Sequence, residues 1–151
     1  MTDLPFRPFK DDAEIRRIGE GLLACGLPRA DWTHEAHLAA TLWLIRDRSD
    51  IDVDREIAGI ISRFNESVGG VNDSTQGYHE TITRAFIAGI RLYLAGRRPA
   101  EPLLTAVNAL LASPMGKRDW PLRFYSRELL FSVPARCKFV APDLAPLPVA
   151  C

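Results

Sequence analysis

The sequence predicts an all-α fold: a single-domain helical bundle of about five main helices, with an extended proline-rich strap at its C-terminal end. Two observations lead to this prediction. Along most of the chain, apolar residues recur at the three- and four-residue spacing of amphipathic helices, and no stretch alternates apolar and polar residues as a half-buried strand does. The length of 151 residues suits one domain, 1–151, that is large enough to bury a core.

The first three helices are predicted from their capping residues and from the glycines that follow them. Asp11 or Asp12 is suited to begin the first helix, and Gly26 stands just beyond its end. Thr33 is a favourable N-cap for the second helix. Gly69-Gly70 follows the third. The predicted ranges are about 11–25, 33–46 and 53–67.

The second half of the chain is predicted to contain two more long helices, over about 78–95 and about 100–112. One or two short helices are expected within 120–132, around Y-S-R-E-L-L. The segment V-A-P-D-L-A-P-L-P (140–148) contains too many prolines for a helix, because proline lacks the backbone N–H that a helix needs. It is expected to run extended over the surface.

All three histidines of the chain lie at predicted helix starts. His34 and His37 stand in W-T-H-E-A-H-L (32–38), and His79 stands in G-Y-H-E-T-I-T (77–83). Residues three positions apart share one face of a helix, so His34 and His37 are expected to face a common point. If the second and fourth helices pack side by side, His79 would join them at the same level of the bundle.

Three imidazoles with one open position form the ligand set of a catalytic metal. The sequence therefore predicts one divalent transition metal, zinc or iron, held by His34, His37 and His79. A cationic imidazole is unfavourable at the N-terminus of a helix, so these side chains are expected to be neutral, as a metal ligand must be.

Further side chains complete the predicted site. Glu80 is expected to act as a general base on a metal-bound water or to orient a ligand, and Tyr125 and Arg136 are expected to orient a substrate. The candidate catalytic residues are therefore Glu80, Tyr125 and Arg136. The candidate ligand-binding residues are Trp32, Tyr78 and Thr83.

Three interpretations of the histidines stay open at this point: a metal site, a metal-free polar pocket, and hydrogen bonds that serve only the fold. They correspond to two kinds of function. One is a metal-dependent enzyme that acts on a small molecule, and the other is a non-catalytic module that binds a small ligand. Because helical bundles host both, the predicted fold does not choose between them.

The composition bears on whether the protein binds nucleic acid or a membrane, and on its cellular compartment. Nineteen basic residues balance nineteen acidic ones, so no electrostatic footprint for nucleic acid is present. No stretch approaches the roughly 20 apolar residues of a membrane span, and residues 1–10 lack the apolar core of a signal peptide. Three widely spaced cysteines, Cys25, Cys137 and Cys151, suit a reducing compartment. We expect a cytoplasmic protein with a small-molecule ligand; the sequence does not give its oligomeric state.

Four blocks, in this order, resemble a family of small all-helical bacterial proteins of uncharacterised function. They read W-T-H-E-A-H-L, Y-H-E-T-I-T-R-A-F, F-Y-S-R-E-L-L-F-S-V-P-A-R and F-V-A-P-D-L-A-P-L-P, and cover about a third of the chain. The resemblance implies a shared fold that includes the proline-rich tail, and it implies no reaction. The family's polar motif positions fall at His34, His37, His79, Glu80, Thr83, Tyr125, Ser126, Arg136 and Asp143.

Overall fold

The computed structural model describes residues 7–149, and within this range every regular element is a helix. The α-helices are α1 (Asp12–Ala24), α2 (His34–Asp47), α3 (Val53–Ser67), α4 (Glu80–Ala95), α5 (Leu103–Ala112), α6 (Arg127–Leu130) and α7 (Val133–Cys137). Short 3-10 helices cover Arg29–Asp31, Pro114–Gly116 and Trp120–Arg123. The predicted all-α fold is confirmed. Residues 1–6, part of the segment expected to lack a signal peptide, and Cys151 lie outside the described residues.

The predicted N-caps of α1 and α2 are confirmed by their hydrogen bonds. The Asp11 carboxylate accepts the backbone N–H of Glu14 at 2.8 Å. The Thr33 hydroxyl accepts the backbone N–H of Ala36 at 3.1 Å. Each side chain therefore satisfies one of the N–H groups that the first turn of a helix leaves without an intrahelical partner.

Two predicted helix starts are wrong, and one short helix was not predicted. α4 begins at Glu80 rather than near Tyr78, because His79 is still extended, with φ of −128°, and caps the helix. α5 begins at Leu103 rather than at Ala100, because the extended Pro102 immediately precedes its first turn. The short helices predicted within 120–132 are present at Trp120–Arg123 and Arg127–Leu130, and α7 is a further short helix that lies outside this range.

The core forms around α2, which is apolar on most of its circumference. Leu38, Leu42 and Leu44 are at most 2% exposed and pack with residues of α1, α4 and α5. Ala36 and Ala40, on another face of α2, pack with residues of α1 and α3 in a second cluster. Because α2 is enclosed by neighbours over most of its length, its polar contributions to a surface site come from its N-terminal half, from His34, His37 and Thr41. None of the helices within 7–149 has the length and apolar character needed to cross a membrane.

Residues 138–149 contain no helix, and hydrogen bonds tie them to the rest of the chain. The Thr81 hydroxyl donates to the carbonyl of Lys138 at 2.9 Å and accepts the N–H of Val140 at 3.2 Å. The Tyr125 hydroxyl donates to the carbonyl of Val140 at 2.6 Å. The start of α4 therefore carries the C-terminal segment.

Candidate functional site

A pocket of about 300 Å³ opens at the N-terminal end of α2. α2 supplies four of the side chains that line it, α3 supplies one, α4 supplies three, and the loop after α5 supplies one. They are His34, His37, Leu38 and Thr41; Ile61; Ile82, Thr83 and Phe86; and Arg118. Most of the surface of the wall is apolar, although five of the nine side chains carry a polar group, and such a mixture is usual for a small-molecule site.

His34 is held by the loop that follows α5. Its Nε2 lies 2.8 Å from the carbonyl oxygen of Gly116. Because a carbonyl only accepts, Nε2 carries the proton, and the lone pair of the neutral ring is on Nδ1. The ring also meets the edge of Phe86, with 5.6 Å between ring centroids. These two contacts fix both the tautomer and the orientation of the imidazole.

The glycine that accepts this hydrogen bond stands at a close approach of two backbones. Gly116 is buried, and a Cβ at this position would collide with the carbonyl oxygen of Leu110 at the end of α5. Only glycine therefore lets the loop pack down far enough to reach His34.

His37 is held from the opposite side, within its own helix start. Its Nδ1 lies 2.7 Å from the carbonyl oxygen of Thr33, so Nδ1 is the donor and Nε2 carries the lone pair. Trp32 stacks on the imidazole, with 3.8 Å between centroids and 34° between planes. The indole of Trp32 in turn meets Phe64 of the core at 5.4 Å. Trp32, a predicted ligand-binding residue, therefore positions His37 and does not itself line the pocket.

Both imidazoles are neutral at pH 7. Burial is the main cause of the lowered pKa of His34, and the nearby Arg118 guanidinium lowers it further. Burial also lowers the pKa of His37, to about 4, against the raising effect of its hydrogen bond to Thr33. The expectation that these histidines are uncharged is confirmed, but desolvation rather than the helix dipole is the main cause. Each ring presents one hydrogen-bond acceptor and no charge.

The cation of the pocket lies at its edge. The Arg118 side chain is 65% exposed, and its Nη2 is 3.9 Å from Oε2 of Glu35, whose side chain is 13% exposed. That distance is too long for a hydrogen bond. Glu35 Oε2 is buried and has no hydrogen-bond partner among the residues that the structure describes.

His79 is used differently from the other two histidines. Its Nδ1 accepts the backbone N–H of Ile82 at 3.1 Å, and its Nε2 donates to the carbonyl of Leu130 at 2.8 Å. Both ring nitrogens are therefore committed, and neither has a lone pair free for a metal. The side chain is 8% exposed and does not line the pocket.

Within residues 7–149 the structure contains no group of three or more His, Cys, Asp or Glu side chains that could hold a metal ion. The three imidazoles that the sequence suggested as a ligand set are thus not brought together. A metal on His34 and His37 would need its remaining ligands from water or from a bound molecule. The metal site stays a prediction.

Two of the other predicted residues belong to a polar network beside the pocket. The Tyr78 hydroxyl donates to Glu80 Oε1 at 2.6 Å, and Arg84 Nε donates to Glu80 Oε2 at 3.1 Å. Burial and the Glu80 carboxylate raise the pKa of the Tyr78 hydroxyl, which stays protonated. Thr83 lines the pocket itself, while its hydroxyl donates to the carbonyl of His79 at 2.8 Å.

Tyr125 and Arg136, predicted to orient a substrate, lie outside the pocket lining. Tyr125 is fully buried, and its hydroxyl binds the carbonyl of Val140. Arg136 donates from Nη1 to the carbonyl of Gly77 at 2.7 Å. In this structure both side chains join the C-terminal part of the chain to the rest of the fold.

Sequence reasoning missed Arg118 and Gly116 as parts of the site. The Lys117-Arg118 pair resembles the charged end of a helix, and nothing local connects it to His34. The hydrogen bond between His34 and Gly116 spans 82 positions of the chain. Only the packing of α5 against α2 brings them together, so a single sequence carried no signal for this contact.

Compared with protein-family models, with curated proteins and with solved structures, the chain matches none. The resemblance of the four sequence blocks to a bacterial family therefore stays a prediction.

Proposed function

We propose that this protein binds a small organic molecule in the pocket formed by α2, α3, α4 and the loop after α5. The observation that carries the proposal is the meeting of His34 and His37 in one cavity of about 300 Å³ with an apolar wall. This volume is at the lower end of the roughly 300–1,000 Å³ typical of ligand sites. It therefore suits a compact ligand.

The chemistry of the wall describes what such a ligand offers. Leu38, Ile61 and Phe86 favour an apolar body. The unprotonated nitrogens of the two imidazoles are acceptors, so hydroxyl or amino groups on the ligand would complete them. An imidazole whose pKa is lowered to about 4, as in His37, is a weak base at neutral pH. This favours a role in holding a ligand over a role in removing protons, and hence the non-catalytic module over the enzyme.

The experiment uses isoleucine δ1-methyl NMR during the titration of a library of small organic fragments. Ile61 and Ile82 line the pocket, whereas Ile15 and Ile18 lie in α1. We expect fragments that bind to shift the methyl signals of the first pair and to leave those of the second pair unchanged.

A pocket-filling variant makes this test specific. Thr41→Phe places a ring in the cavity and is expected to abolish the shifts. Thr105→Phe makes the same change on an exposed position of α5 and is expected to preserve them. Shifts that persist in Thr41→Phe, or fragments that shift only other regions, would contradict the proposal.

The alternative is the metal-dependent enzyme, with Glu80, Tyr125 and Arg136 as its catalytic residues. It is supported by the one uncommitted nitrogen on each of His34 and His37, and weakened by the two hydrogen bonds of His79. Metal analysis of protein purified without a histidine tag tests it. A stoichiometric zinc or iron that is lost in both His34→Ala and His37→Ala would favour the enzyme.

The proposal extends to the scaffold. The five helices of ten or more residues would form one bundle, and residues 138–149 would act as a proline-rich strap across the start of α4. The supporting contacts are the hydrogen bonds of Thr81 and Tyr125 to this segment, and the bond between Leu144 N–H and the carbonyl of Phe124 at 2.9 Å. Protection of the backbone amides of Val140 and Leu144 from hydrogen exchange would support the strap, and rapid exchange of both would contradict it.

A further inference from the structure

The charge of the pocket comes from one side chain. Of the residues that line it, Arg118 is the only one with a permanent charge, and the others are apolar residues, threonines and the two imidazoles. A cavity with one cation at its mouth and an apolar interior is asymmetric: it has a polar end for a head group and an apolar end for a body.

The guanidinium of Arg118 is available to a ligand. Among the described residues it forms no hydrogen bond, and its nearest acidic atom, Glu35 Oε2, is 3.9 Å away. This separation is too long for a hydrogen bond, so the exposed guanidinium breaks none when it turns toward a ligand. All of its N–H donors, in a planar fork, remain free for a new acceptor.

The geometry of a single guanidinium selects the head group. Two parallel N–H donors match the two oxygens of a carboxylate, which carries one negative charge. A phosphate monoester carries close to two negative charges at neutral pH and would meet only this one cation, next to the Glu35 carboxylate. The balance of charge therefore favours a monoanion.

We propose that the ligand is a small organic acid whose carboxylate binds Arg118 and whose apolar body lies against Ile61, Ile82 and Phe86. A hydroxyl group on this acid donates to the unprotonated imidazole nitrogen of His34 or His37. This inference rests on the proposed ligand-binding function and names the class of ligand. Arg118 is then the residue that determines specificity for an acid, while the apolar wall contributes affinity without regard to charge.

The test compares monocarboxylic hydroxy acids with their primary amides, for example 2-hydroxy-3-phenylpropionate with 2-hydroxy-3-phenylpropionamide, by calorimetry or by the isoleucine methyl signals. The two members of a pair share their apolar body, but the amide lacks the negative charge and carries two N–H donors that the acid lacks. In the wild-type protein we expect the acid to bind at least about tenfold more tightly than the amide, and the preference to weaken as salt is added.

Two arginine variants test whether the preference for the acid over the amide depends on Arg118. Arg118→Gln is expected to bring the acid to the affinity of the amide, and because the side chain is exposed this variant should keep the fold, which circular dichroism checks. Arg98→Gln makes the same change in charge at an exposed position beyond the end of α4 and is expected to keep the preference.

The remaining outcomes separate the two proposals. Acid and amide that bind equally in the pocket would overturn the assignment of an organic acid and leave the ligand-binding function standing. A matched phosphate monoester that binds more tightly than the carboxylate would overturn the assignment of a monoanion. If no acid and no amide shifts Ile61 or Ile82 at millimolar concentration, both proposals fail for this class of ligand.

Discussion

The chain begins two of its helices with the same dipeptide, His-Glu, and uses the two histidines in different ways. At α2 the cap is Thr33, so His34 is the first helical residue and its ring reaches outward to the loop after α5. At α4 the histidine is itself the cap, and its ring turns inward to Ile82 N–H and Leu130 O. A shift of one residue relative to the cap thus separates a pocket residue from a structural one.

The difference teaches that a histidine's position relative to the cap decides how many of its nitrogens stay available. A capping imidazole must use one nitrogen as acceptor, and when it is buried its N–H also needs a partner. His79 meets both demands and has nothing left for a ligand. His34 and His37 each use one nitrogen as donor to a carbonyl and keep the other.

The largest effect on stability is expected from His79→Ala. This change removes the N-cap acceptor, worth about 1 kcal/mol, and leaves the carbonyl of Leu130 without its donor, which costs about 1–3 kcal/mol. The free energy of unfolding, measured in urea, should therefore fall by about 2–4 kcal/mol. Binding of pocket ligands to the folded fraction should stay unchanged.

His79→Asn is the matched control, because asparagine is a good N-cap but is too short to reproduce the contact with Leu130. We expect it to recover the part of the loss that belongs to the cap. If His79→Ala unfolds at the same urea concentration as the wild type, the structural role assigned to His79 is wrong.

The next effect concerns pH and His37. In the unfolded chain its pKa is near 6.5, and in the folded protein burial lowers it to about 4. Between these values the unfolded state binds more protons than the folded state. The contribution of His37 to the free energy of unfolding is therefore fully present above about pH 6.5 and declines as the pH falls toward 4. For this residue alone the loss would approach about 3 kcal/mol.

Carboxylates such as Asp54 and Asp143 also have lowered pKa values, so their protonation at low pH destabilises the protein as well. The variant His37→Gln isolates the contribution of His37. Urea unfolding at several pH values should show a smaller decline for the variant than for the wild type. Parallel curves for the two proteins would contradict the lowered pKa of His37.

The sequence predicted the helices well where the signal is local. Asp11 and Thr33 are capping residues that act on neighbours three positions away, and the apolar periodicity of the long helices is equally short-ranged. The predicted start of α4 was two residues too early, because histidine is an uncommon N-cap and His79 was therefore placed inside the helix. Arg118 joins the site only through tertiary packing.

A smaller effect is expected at the second residue of α4, Thr81, whose hydroxyl binds the C-terminal segment. Thr81→Val keeps the shape of this fully buried side chain and removes the hydroxyl that binds Lys138 O and Val140 N–H. The free energy of unfolding should fall by about 1–2 kcal/mol. The cost is moderate because water can reach the carbonyl of the exposed Lys138 once the hydroxyl is removed. Thr105→Val, at an exposed site of α5, should leave the unfolding midpoint almost unchanged.

The smallest loss of stability among the histidine and Thr81 variants is expected from His34→Ala, which should instead weaken binding. The hydrogen bond to Gly116 O is lost, but the shortened side chain opens the pocket to water, which can solvate that carbonyl, so the cost should be about 1 kcal/mol. Fragments that bind wild-type protein should lose about tenfold or more in affinity, since an acceptor and the contact with Phe86 disappear together. His79→Ala should show the reverse pattern, with a large change in unfolding and none in affinity. If both variants lose stability equally and neither changes affinity, the two helix starts serve the fold alike, and the distinction drawn from the position of their caps fails.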